Sequence, residues 1–182
     1  MNPREHDTLL RKHFADQVLD SKMWQNSALD LLDAVKALEP VLRKRWSDFA
    51  AYKGSIRSLM IHKTFLLLVA LTVENFLKSR IVRYKRRSLR DEILKTGKLP
   101  TILRGNHNLL AYAESAKLPV SNEHRRILSR LTRAVKWSGR YPSPSSYERI
   151  DSDNYSNHDI DQMKRFVNDL FGQLRRAPEK RE

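Results

Sequence analysis

Residues from about Arg57 to Tyr84 read as one long helix whose centre is apolar on most sides. A helix without a wide polar face has to be surrounded, so other parts of the chain must bring apolar stripes to it. Its longest apolar run, Thr64 to Val73, is bounded by Lys63 and Glu74 and is too short to span a bilayer. The helix is therefore expected inside a protein core. Matching stripes are present. Trp24, Ala28, Leu31, Val35, Leu38 and Leu42 recur at helical spacing after a cap at Asp20 or Ser21. Pro40 lies within this stripe and is expected to kink or divide the helix, with residues 47 to 56 as a connection. Leu9, Leu10, Phe14 and Val18 place a first helix over residues 4 to 19. Leu128, Leu131 and Val135 follow a cap at Ser121, and Ile160, Met163, Val167, Leu170 and Leu174 stay in register on a last helix. Residues 91 to 104 read as a short helix and a turn at Gly97 to Pro100. A further helix begins near Gly105-Asn106-His107-Asn108, with Asn106 as its cap, and buries Leu109, Leu110 and Ala113.

Only five glycines occur, and no region sustains the alternation that a half-buried strand requires. The expected fold is all-α: an antiparallel helical bundle, one domain over residues 1–182. Its core is expected at about residues 21–175, with a charged, frayed tail at 177–182.

Thirty-five Lys and Arg against 21 Asp and Glu give a net charge of +14. A field of that size attracts polyanions. RNA is the expected partner; an acidic protein such as an antitoxin would satisfy the same field. The absence of cysteine excludes disulfides and thiolate metal sites. No Walker loop, dinucleotide-binding glycine motif or His-Glu-x-x-His occurs. Asp151, Asp153, Asp159 and Asp161 lack EF-hand spacing, so neither a metal site nor a cofactor is expected. The first residues lack the apolar segment of a signal peptide, which leads to the expectation of a cytoplasmic protein without a membrane segment.

Three local patterns carry the candidate sites. The densest basic segment, Lys78 to Arg90, contains Arg80, Arg83, Lys85, Arg86, Arg87 and Arg90, more cations than the dipole of one helix end requires. These six are the candidate nucleic-acid contacts. Glu74 lies on an apolar helical face with Leu67, Ala70, Leu71, Lys78 and Ile81. A buried carboxylate needs a cation or several donors, which Lys78 at i+4, or Arg140 from elsewhere, can supply. Asn75 belongs to the same polar cluster. Finally, Lys136-Trp-Ser-Gly-Arg-Tyr-Pro-Ser-Pro144 reads as a helix end at Gly139 followed by an extended corner, where Trp137, Arg140 and Tyr141 can pack on other helices or on a ligand.

Four segments together resemble a bacterial branch of the HEPN superfamily. They are Ser21-Lys-Met-Trp24 leading into Ser27-Ala28, Leu71-Thr-Val-Glu74-Asn75-Phe-Leu-Lys78, Gly105-Asn-His107-Asn-Leu109, and Trp137-x-Gly139-Arg140-Tyr141-Pro142-x-Pro144. The resemblance implies a helical bundle that commonly dimerises, so a homodimer is expected. Many such domains are metal-independent endoribonucleases of toxin–antitoxin and phage-defence systems; others are catalytically silent binding or assembly modules. Active members use Arg, four to six residues, then His. Arg57-Ser-Leu-Met-Ile-His62 fits that spacing early in the central helix, whereas Arg104-Gly-Asn-His107 has the residue types with two residues between them. The second pair lies where a helix start can bind phosphate. The expected catalytic group is thus His107 with Arg104 or Arg140. The alternative is a silent interaction module that docks on an acidic protein partner or dimerises.

Overall fold

The computed structural model describes residues 2–51, 53–54, 60–138 and 157–176. Among them every regular element is helical: α1 (Pro3–Val18), α2 (Ser21–Ala50), α3 (Ile61–Tyr84), α4 (Arg86–Thr96), α5 (Thr101–Arg104), α6 (Leu109–Ser115), α7 (Asn122–Arg133) and α8 (Asn157–Arg176). The last turn of α7 widens into a π-turn over Ala134–Ser138. No described helix is long and apolar enough to cross a membrane.

The axis of the molecule is α3. Phe65, Leu66, Val69, Ala70, Val73, Phe76, Leu77, Ile81 and Val82 are all buried along it, so it carries core on nearly every side. Its most extensive neighbour is α2, which runs antiparallel to it. Ser79 near the end of α3 donates to the Ser21 carbonyl at the start of α2, 2.9 Å away. At the other end, Leu42 and Trp46 of α2 line a small cavity with His62, Phe65 and Leu66 of α3. The remaining sides of α3 meet α4, α6, α7 with its π-turn, and α8.

Asp20 caps α2 by accepting from the Lys22 N–H at 2.9 Å. Contrary to the expected break, α2 continues through Pro40 and on to Ala50. Proline removes one N–H and should cost about 3 kcal/mol in a helix interior. The buried stripe of Ala28, Val35 and Leu42 straddles it, and packing on α3 holds both halves in one helix. The expected connection at 47 to 56 therefore begins only after Ala50. Gly97 ends α4 in the left-handed conformation, with its N–H on the Ile93 carbonyl at 2.7 Å. Arg11 of α1 donates to the Leu94 and Lys95 carbonyls at the same end, at 3.3 and 3.2 Å. Among the described residues three ion pairs anchor α8: Arg130 with Asp159 at 2.7 Å, Lys164 with Glu39 at 3.1 Å, and Arg43 with Asp161 at 2.5 Å. The last hydrogen bond holds the Asp161 carboxyl below, and the Arg43 guanidinium above, its ordinary range. Both aspartates are thus engaged by arginines.

Candidate functional site

At the middle of α3 the apolar surface is interrupted by Glu74 and, one turn later, Lys78, which are 3% and 7% exposed. Their spacing brings Lys78 Nζ to 2.6 Å from Glu74 Oε1. Two aromatic faces enclose the ammonium: Trp24 of α2, with its ring centre 5.2 Å away, and Tyr112 of α6 at 5.6 Å. Trp24 is itself fixed by its indole N–H, which donates to the Val18 carbonyl at 2.9 Å. The charge taken out of water is thus met by a carboxylate on one side and π-faces on the others.

The second oxygen of Glu74 faces the turn between α5 and α6. His107 Nδ1 lies 2.8 Å from Glu74 Oε2, and the imidazole remains 29% exposed. A carboxylate only accepts, so in this bond Nδ1 carries the hydrogen. In the neutral ring the basic nitrogen is then Nε2. Glu74 fixes the orientation and tautomer of the ring by the same logic that carboxylates serve in histidine-based catalytic sites.

Local sequence builds the turn that delivers His107. Gly105 has φ +64° and ψ 151°, a region essentially reserved for glycine, and a Cβ placed there would lie 1.6 Å from the Tyr112 hydroxyl oxygen. His107 itself is left-handed, at φ +55°, a conformation that non-glycine residues adopt at a cost. The Glu74 bond opposes that cost. Asn106 Oδ1 accepts from the Asn108 N–H at 3.0 Å, and Asn108 Oδ1 accepts from the Ala111 N–H at 3.2 Å. Asn108, not the expected Asn106, is therefore the cap of α6. Asn106 instead tightens the turn before it, and His107 stands ahead of the helix rather than in its first turn. The Leu109 N–H then donates to Thr132 Oγ1 of α7 at 3.1 Å, fastening the turn to a second helix.

Tyr112 completes the inner wall. It is 3% exposed, and its hydroxyl makes no well-aligned hydrogen bond among the described residues. Burial, reinforced by the negative charge of Glu74, pushes the phenol up to about 12, while the His107 backbone N–H acts in the opposite direction. It stays protonated at neutral pH.

The other sequence-predicted residues fall in different places. Asn75 is half-buried beside Glu74. Arg104 is exposed at the end of α5, its nearest side-chain partner being Thr101 Oγ1 at 3.5 Å. Arg140 and Tyr141 lie outside the described residues, as do Arg57 and the side chain of Trp137. His62 is half-buried against Trp46, with ring centres 6.5 Å apart.

The basic segment is largely spent on the fold. Arg80 is buried, donates to the Ala116 carbonyl at 2.8 Å and stacks on Tyr84 at 5.0 Å; desolvation lowers its affinity for the proton. Arg83 reaches Ser21 Oγ at 3.2 Å and Gln25 Oε1 at 3.3 Å. The Arg86 guanidinium donates to the Leu19 carbonyl at 2.6 Å, and Arg90 pairs with Asp16 at 2.8 Å. Lys85 is half-buried and Arg87 exposed. Sequence reasoning passed over Tyr112 and, as a site residue, Trp24. A glycine, then a histidine, then a tyrosine on the first turn of a helix was the available signal for the former.

Comparison with protein-family profiles, with curated proteins and with solved structures finds no match for this chain.

Proposed function

We propose that this chain is a HEPN-like RNA-binding protein and that Glu74 and His107 form the acid–base centre of a metal-independent endoribonuclease. One observation carries the reading: a partly exposed histidine, on a strained and multiply fastened turn, is oriented by a buried carboxylate. His107 Nε2 removes the proton from a ribose 2′-hydroxyl. The 2′-oxygen attacks the adjacent phosphorus, the bond to the 5′-oxygen breaks, and that oxygen takes a proton back from the His107 imidazolium, directly or through water, as it leaves. The products are a 2′,3′-cyclic phosphate and a 5′-hydroxyl. Arg104, or Arg140, supplies positive charge to the developing phosphorane. The net charge of +14 supports RNA as the polyanion. In this reading the protein acts in the cytoplasm as a homodimer, in a toxin–antitoxin or phage-defence setting.

The test is incubation of the purified chain with single-stranded RNA and a 2′-deoxy control, with analysis of the product ends. General acid–base groups contribute about 10²–10⁴-fold, so His107→Ala should lose activity by about that factor while keeping its helical spectrum. EDTA should change nothing. Cleavage that survives His107→Ala, or that requires a metal, rejects the assignment. A second reading, a silent module that docks on an acidic protein partner, draws on Lys78, Arg80, Arg86 and Arg90 being engaged within the chain. Absence of cleavage across many RNAs would favour it.

A further inference from the structure

Tyr112 is a buried titratable side chain that the proposed reaction does not use. It stands on the first turn of α6, with its own N–H on the Asn108 carbonyl at 3.0 Å. From there it reaches both groups that bond Glu74. Its ring centre lies 5.6 Å from Lys78 Nζ. Its hydroxyl fills the space beside Gly105: a Cβ on that glycine would lie 1.6 Å from the phenol oxygen and 2.9 Å from Cζ. The His107 N–H lies by the same oxygen, without a well-aligned bond.

The turn does not rest on local preference. Gly105, at φ +64° and ψ 151°, and His107, at φ +55°, hold conformations that persist only where the surroundings over-determine them. The Glu74 bond holds the imidazole, and Asn106, Asn108 and Thr132 hold the backbone after it. Gly105 is held by its N–H on the Thr101 carbonyl at 3.1 Å and by contact with the phenol oxygen. Packing alone gives no reason for that oxygen. Phe would fill the ring space without burying a polar atom that lacks a well-aligned partner.

We infer that Tyr112 is a positioning residue of the His107 centre: with its ring on Lys78 and its hydroxyl against the Gly105–His107 turn, one buried side chain holds both partners of Glu74 in place. The neutral imidazole then presents Nε2 to the substrate. The inference rests on the proposed function and adds a residue to that site. Tyr112 touches no reacting atom; it acts through the turn. Misplacement of a catalytic group by about 1 Å can cost about 10²-fold in rate, so a contact that fixes the turn bears directly on catalysis.

The test is Tyr112→Phe in the full chain. The control is Tyr84→Phe, which removes a hydroxyl that accepts from Arg80 at 3.3 Å. Tyr112→Phe keeps the ring on Lys78 and removes only the oxygen against the turn. With a single-stranded RNA substrate, kcat should fall by about 10–100-fold while KM and the helical spectrum stay as in the wild type. Nitrogen NMR of the His107 ring, in alkaline buffer where the ring is neutral, gives a readout that packing alone would not move. The wild type should show the Nδ1–H tautomer, and Tyr112→Phe a mixture of the two. If either kcat or the ring nitrogens of Tyr112→Phe match the wild type, or if Tyr84→Phe lowers kcat as much, the inference is overturned. A wild-type chain that cuts no RNA removes the proposed function instead, and the ring nitrogens then decide the positioning role alone.

Discussion

Replacement of Glu74 by Gln tests whether a buried Glu74–Lys78 ion pair sits in the core as described. Gln keeps the size and much of the hydrogen bonding but removes the negative charge that meets Lys78 at 2.6 Å and His107 at 2.8 Å. Lys78, 7% exposed, is left as a buried cation without its counter-charge. Breaking a buried pair in this way costs roughly 3–5 kcal/mol. Trp24 and Tyr112 at 5.2 and 5.6 Å keep part of the compensation, which places the expected loss near the lower end. A loss of about 3 kcal/mol in a chain of this size lowers Tm by about 6–12 °C. Thermal denaturation followed by circular dichroism measures it. The informative partner is the double variant Glu74→Leu with Lys78→Met. Removing both charges should recover most of the loss, because an apolar pair of similar volume avoids desolvation altogether. An unchanged Tm in Glu74→Gln, or a double variant at least as unstable as the single, would refute the reasoning.

Two further outcomes follow from the same region. Gly105→Ala meets the Tyr112 hydroxyl and adopts a backbone conformation reserved for glycine, so it should cost roughly 2–4 kcal/mol; adding Tyr112→Phe should recover part of this in urea denaturation, and no cost would mean that the turn relaxes. The Tyr112 phenol, raised to about 12, keeps its proton in the folded chain while the unfolded chain loses it near pH 10. Stability is therefore present below pH 10 and lost as pH rises towards 12, so the wild type should fall by about 1 kcal/mol relative to Tyr112→Phe between pH 9 and 11.

The helices were legible because their stripes are long and regular. Ala28, Val35 and Leu42, and Ile160, Met163, Val167 and Leu170, are buried where the periodicity puts them. Pro40 misled because its local cost competes with packing over the whole length of α2, which no local window weighs. The Glu74–Lys78 contact follows from i+4 spacing alone. His107 reaches the same carboxylate across 33 positions of sequence, through a turn that depends on Gly105 and on Thr132 of another helix, and no spacing rule contains that. Arginine side chains are long enough to seek distant carbonyls, as Arg86 does at Leu19. The charge count of the basic segment therefore gave its composition without its use.

The placement of α3 also governs how the chain can fold as it is made. Its contacts with α2 are between neighbours in sequence and can form once residue 84 has left the ribosome. The faces that receive α6, α7 and α8 stay bare until residues up to Leu170 have followed. At about 5–20 residues per second that interval lasts about 4–17 s. A nascent chain of three helices, α1 to α3, with Phe76 and Leu77 open to water is a substrate for chaperones and a hazard for aggregation. The low contact order of the α2–α3 pair makes it fast to form and, for that reason, early to wait.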